Sequence, residues 1–217
     1  MSDIFREIDE EVRRERLNKL WEQYGNVAIA VALLLVIGIG GWRLYQWWEA
    51  RQAAEAGRQF ETAVLLSEQG KHDEAVAAFT RLAAEGTAGY RALARFRAAQ
   101  ELATRDPQAA VKAYEALAAD RGVGQLLQDL AEVRAALILV DTAPYEELRL
   151  RLDPLTANDR PFHHTARELL ALSAWRAGDQ AASRRWIDLI LTDAQTPSGI
   201  RARVEMLMAL TGGRAKG

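Results

Sequence analysis

From Gln23 to Trp42 the chain runs for twenty residues without a charged side chain, and both flanks are rich in charge. This run limits what the chain can fold into. A bilayer's hydrocarbon core is about 30 Å thick and a helix rises about 1.5 Å per residue, so roughly 20 residues cross it. Nine of the twenty are Val, Ile or Leu. At roughly 0.3–0.6 kcal/mol each they favour insertion by about 3–5 kcal/mol in all. Aromatic residues mark both ends: Trp21 and Tyr24 at the start, Trp42, Tyr45, Trp47 and Trp48 at the finish. Such rings favour the membrane–water interface, and these six are the candidate interface residues. A core helix of this size would carry a polar stripe, and this run has none.

A cleaved export signal fits poorly. The 22 residues before the run hold seven acids, and bulky Trp-Arg-Leu-Tyr-Gln-Trp-Trp follows it where a cleavage site needs small residues. The reading is an uncleaved signal anchor. Arg13, Arg14, Arg16 and Lys19 precede the span, against Arg43 and Arg51 after it. That bias places the N-terminus in the cytoplasm and the larger part across the membrane, in the periplasm of a bacterium. The expected organisation is an amphipathic tail over 1–22, the span over 23–42, a helical domain over 43–211 and a polar tail over 212–217.

The part after the span has 23 basic and 23 acidic residues, so no basic field draws it to nucleic acid. The chain has no cysteine, which excludes disulfides, thiol catalysis and cysteine-bound metals. Only five prolines, with abundant Ala, Leu, Arg and Glu, favour helix. The helical pattern leaving the span has no break before Gly70.

Beyond Gly70 a unit recurs. Gly70 is followed by Ala75 and Phe79, Arg105 by Ala110 and Tyr114, and Gly178, after a turn one residue shorter, by Ala182 and Trp186. The three aromatics are 35 and 72 residues apart, and the second gap is about two periods. A degenerate unit from Gln125 to Asn158 fills it, with a turn at Thr142–Pro144 and a proline-rich end. A period near 34 with helix–turn–helix content is the tetratricopeptide pattern. The fold class is therefore all-α, one transmembrane helix followed by a tetratricopeptide-like solenoid. In such a stack small residues let paired helices approach, and no unit buries its apolar face alone. Ser198 to Leu210 reads as a closing helix, and Thr211 onward as a fraying end.

Chemistry is sparse. His163 and His164 are adjacent and should point about 100° apart on a helix, a poor zinc arrangement beside an i, i+4 pair. His72 lies in the Gly70 turn, and Asp153, Asp159 and Arg160 flank prolines as turn and cap residues. The glycines at 38, 40 and 41 follow no strand and make no phosphate loop. No nucleophile–base arrangement is visible. The expectation is no catalytic, cofactor or metal residue.

Four stretches carry a family resemblance: Gly40–Trp48, Phe60–Val64, Tyr90–Gln100 and Leu172–Ala182. With the layout of tail, span and repeats, the chain resembles the bacterial ancillary SecYEG translocon subunit family, the YfgM-like proteins. The resemblance implies an inner-membrane protein associated with the SecYEG translocon and a membrane-anchored periplasmic prolyl isomerase. It would act as an adaptor or chaperone-like subunit for exported client proteins. The acidic N-terminal tail and irregular third unit depart from that pattern. Arg58, Arg91 and Arg95, polar residues on the first helices of the pairs, are the candidate partner-binding residues. The alternative is a structural scaffold in envelope biogenesis or cell division.

Overall fold

In the computed structural model the backbone is described over residues 3–214, and side chains from residue 26 to 210 except 28 and 32. The expectations for the side chains of the 1–22 tail, Trp21 included, and for Tyr24 lie outside the described residues. All described secondary structure is helical. The first helix, α1, is Asp3–Glu68 and has no break. Among the described residues it is the one helix long and apolar enough to cross a membrane, and none of its apolar window is buried. A soluble core helix would bury those residues. The described side chains between Val27 and Ile39 are exposed in an uncharged run, which is consistent with membrane anchoring. The chain thus has one candidate anchor at its N-terminal end. Trp42, Tyr45, Trp47 and Trp48 are all exposed. The Tyr45 and Trp48 rings lie 6.4 Å apart, and the Arg51 guanidinium sits 4.4 Å from the Trp47 ring centre, a cation–π distance.

The chain divides into two compact units, 1–54 and 55–217. Every residue from 43 to 50 is exposed, and Ala56 is the first buried among the described residues.

The second unit contains the end of α1 and eight further helices. They are α2 (His72–Glu85), α3 (Ala88–Ala103), α4 (Pro107–Ala118), α5 (Gln125–Leu139), α6 (Tyr145–Leu152), α7 (His163–Arg176), α8 (Gln180–Thr192) and α9 (Ser198–Arg214). Single 3-10 turns occupy Arg121–Val123 and Asp153–Leu155. The connections follow from local chemistry. Gly70 and Gly178 close turns at φ 75° and 80°, where a side chain would be strained. Arg105, at the matching place in the second unit, is not left-handed; there Asp106 caps α4 by accepting from the Ala109 N–H, and Pro107 opens the helix. Asp179 caps α8 in the same way through Ala182.

The repeated residues form the core. Ala75, Phe79, Ala110, Tyr114, Ala182 and Trp186 are all buried. Three apolar clusters run along the chain, each shared between neighbouring pairs. The first joins Ala56 and Ala63 of α1 to Phe79 of α2 and Ala94 of α3. The second joins Ala99 of α3, Tyr114 of α4 and Ala131 of α5. The third runs from Val133 of α5 to Leu207 of α9. Sharing cores between neighbours is the physics of a repeat stack. Aromatic contacts follow suit: Phe60 lies 5.4 Å from Phe79 and 5.9 Å from Tyr90.

The proline-rich third unit is short but packed. Tyr145, Leu148, Leu152 and Leu155 are buried, and the Trp186 indole N–H donates to the Tyr145 hydroxyl at 3.0 Å. Arg167 donates to the Thr156 carbonyl at 3.0 and 2.7 Å and to Asn158, tying down the loop before α7. Arg160 is more than a turn residue, because it pairs with buried Asp129 of α5. On α9 the stripe Ile200, Val204 and Leu207 is buried, while Met206 and Leu210 are exposed. The helix passes the expected end at Thr211 and runs to Arg214. Residues 215–217 lie outside the described set.

Candidate functional site

Arg58 stands on α1, and Arg91 and Arg95 on α3. The structure brings two of the three together. Arg91 and Arg95 are four residues apart, so they share a helix face. They line a cleft of about 590 Å³ with Asp120, Gly122, Val123 and Leu127. Arg58 is not among the lining residues; it is exposed and pairs with Glu55 within its own helix.

The two cleft arginines differ in role. Arg95 is half-buried and donates to Asp120 Oδ2 at 2.5 Å and to the Ala116 carbonyl at 3.3 Å. Asp120 also accepts from the Gly122 N–H at 2.8 Å. The Arg95 bond first, then the Gly122 N–H, hold its carboxyl below the usual carboxylate range. Arg95 therefore braces α3 against the turn after α4. Arg91 is exposed and makes no ion pair among the described residues, so its charge is available at the cleft mouth.

Two further clefts escaped sequence reasoning. One, of about 990 Å³, has Val111, Ile138 and Leu139 along its floor and Arg105, Asp106, Lys112, Glu115 and Asp141 at its edge. Apolar floors with charged rims suit extended chains or amphipathic helices. Its only sequence signal is an apolar position left over on α4 or α5 once the buried stripe is assigned. The other, of about 400 Å³, is lined by Asp129, Glu132, Arg151 and Arg160 among others. Asp129 Oδ2, Glu132 Oε2 and Arg160 Nε have no protein partner there. Burial is the main force raising the Glu132 carboxyl; Arg151 opposes it, and Glu115 and Asp129 add to it. Buried polar atoms without a protein partner are uncommon.

The histidines are placed less blandly than expected. His72 reaches the buried Glu101 carboxylate at 2.7 Å, and the Ser67 hydroxyl donates to the same carboxylate at 2.6 Å. Burial pushes the Glu101 carboxyl up, but the bonds from Ser67 and His72 and the nearby cations outweigh it, and its pKa falls below normal. His163 and His164 do not point away from each other; their ring centres lie 3.8 Å apart. They open α7, and the turn before it engages His163, whose Nδ1 lies 2.6 Å from the Arg160 carbonyl.

The family model described as a tetratricopeptide repeat-like domain matches residues 18–170. The chain belongs to the tetratricopeptide repeat-like family. The matched stretch begins before the uncharged run and ends inside α7, so the α7–α8 pair continues the repeat past it. Comparison with curated proteins finds no match, and comparison with solved structures finds none. A tetratricopeptide repeat-like stack is a general platform for protein–protein contact.

Proposed function

We propose that this chain is a membrane-anchored, non-catalytic adaptor that holds a tetratricopeptide repeat-like surface beside the bilayer to receive other proteins. The observation that carries the reading is the uncharged run of α1, exposed at every described side chain, in the same chain as a repeat stack with a cleft of apolar floor and charged rim. The family match takes in the run as well as the first three helix pairs, which supports treating anchor and repeats as one design. Arg91 and the floor formed by Val111, Ile138 and Leu139 are the contact points we assign to partners, and Arg95 is a brace beside Arg91.

More finely, the adaptor works at the SecYEG translocon of a bacterial inner membrane, N-terminus in the cytoplasm and repeats in the periplasm. Its partners there are the channel, a membrane-anchored periplasmic prolyl isomerase and exported chains emerging unfolded. The support is the resemblance of Gly40–Trp48, Tyr90–Gln100 and Leu172–Ala182 to the YfgM-like proteins, together with the charge bias around the span. A photo-crosslinking residue in place of Arg91 or Lys112, in intact membranes, tests it. Capture of a channel subunit or an exported chain is expected. Recovery of only division or envelope-assembly proteins would replace the export reading with the scaffold reading.

A further inference from the structure

At the start of α7 and the α8–α9 connection, three side chains from distant parts of the sequence converge: His163, His164 and Asp193. One ligand atom from each lies within 4.8 Å of the others. His163 Nε2 is 3.6 Å and His164 Nδ1 is 3.9 Å from Asp193 Oδ2. The side chains are only 14%, 12% and 20% exposed.

Those separations are too long for hydrogen bonds. They suit donors sharing an ion. Ligands about 2.0–2.2 Å from a tetrahedral zinc ion lie about 3.4 Å apart. The proton positions point the same way. His163 Nδ1 lies 2.6 Å from the Arg160 carbonyl, which can only accept, so Nδ1 carries the hydrogen. Unless the ring is a cation, Nε2 then turns a lone pair toward the carboxylate. A metal-bound histidine is held in this way, its other nitrogen donating to a carbonyl. Thr196 donates its hydroxyl proton to the Ile190 carbonyl at 2.7 Å, and its oxygen lies 3.3 Å from His164 Nδ1. Its oxygen therefore accepts from His164 Nδ1 in the ion-free protein, and that hydrogen must move to Nε2 for Nδ1 to bind an ion. Asp193 Oδ1 is committed to the Gln195 N–H at 2.9 Å, leaving Oδ2 for the site.

One group opposes a cation. The Arg167 guanidinium approaches Asp193 Oδ2 to 3.5 Å. Its Nε and Nη2 are held by Thr156 and Asn158, while Nη1 is the atom that faces Asp193. Its charge weakens the site without filling it.

We propose that His163, His164 and Asp193 bind one divalent transition-metal ion of the zinc class, with a solvent molecule or Thr196 completing the shell. Imidazole and carboxylate donors with an open position suit this class and not calcium or magnesium. The ion clips the α8–α9 connection to the start of α7, closing the last repeat.

The test uses the intact chain in mild detergent, stripped with a chelator and equilibrated with zinc alone. About one bound zinc per chain is expected, with a melting temperature that rises on zinc addition. Asp193→Asn keeps the Oδ1 acceptor for Gln195, and His164→Gln keeps a polar side chain; each should weaken zinc binding at least about tenfold. His72→Gln, outside the cluster, should bind as the parent does. Cobalt gives a second readout, a visible absorption band lost in both cluster variants. No zinc retained by the parent overturns the proposal. So does unchanged binding in His164→Gln or Asp193→Asn with helical content intact, which would leave the cluster as a proton-bridged ion pair.

Discussion

Replacing Tyr145 with Phe removes one hydroxyl and little else, and its effect reports whether the irregular third unit is locked to the fourth. Tyr145 and Trp186 are 8% and 7% exposed, so water cannot readily replace the lost partner. The Trp186 N–H, now 3.0 Å from the hydroxyl, would be left buried and unpaired. That costs about 1–3 kcal/mol. Trp186→Phe should cost more, about 2–4 kcal/mol, because it removes ring volume as well as the donor. With both partners gone nothing is left unsatisfied, so the double variant should be more stable than the sum of the singles implies, by about 1–2 kcal/mol. With a urea slope of about 2 kcal/mol per molar, Tyr145→Phe alone moves the midpoint down by about 0.5–1.5 M. The assay is urea unfolding of the intact chain in mild detergent, followed by loss of helical circular dichroism. A Tyr145→Phe midpoint equal to the parent's, or strictly additive singles, would refute the bond and the docking of α6 on α8.

Phe79→Ala empties a fully buried site in the first cluster and should lose about 3–5 kcal/mol, read from the same unfolding curves. Glu101 governs an acid limb. Its folded pKa lies below the unfolded value near 4.3, so its contribution is full above that value and is lost as pH falls through the folded pKa. Glu101→Gln should therefore lower the melting temperature at pH 7 and flatten its decline between pH 5 and 3; an unchanged decline would remove Glu101 as its source. Arginine at both Leu34 and Leu35 should cost about 5–7 kcal/mol of insertion, more than the run supplies, and move the chain from the membrane to the soluble fraction.

The repeat was legible because its physics is local. Ala75 with Phe79, Ala110 with Tyr114 and Ala182 with Trp186 recur at a fixed offset, and the same six residues fill the core. The run before Arg43 was legible because lack of charge over twenty residues is rare in water-exposed helix. What escaped was whatever depends on distant residues meeting. Nothing near Arg160 in the sequence announces Asp129, and nothing near His164 announces Asp193, 29 residues on. Arg58, Arg91 and Arg95 look alike on helix faces; only packing separates the brace at Arg95 from the exposed charge at Arg91. The helical end at Arg214 was missed because two glycines, Gly212 and Gly213, argue against it by propensity.

The central claim is that the uncharged run crosses a membrane and holds the repeats on its far side. The chain has no cysteine, so single cysteines can be placed at Ser2, Leu34 and Gln108 and probed with a membrane-impermeant maleimide on intact bacterial spheroplasts. The account predicts labelling of Gln108→Cys at once, of Ser2→Cys only after the membrane is opened, and of Leu34→Cys only after detergent. Immediate labelling of Leu34→Cys without detergent, or protection of Gln108→Cys with exposure of Ser2→Cys, would contradict it.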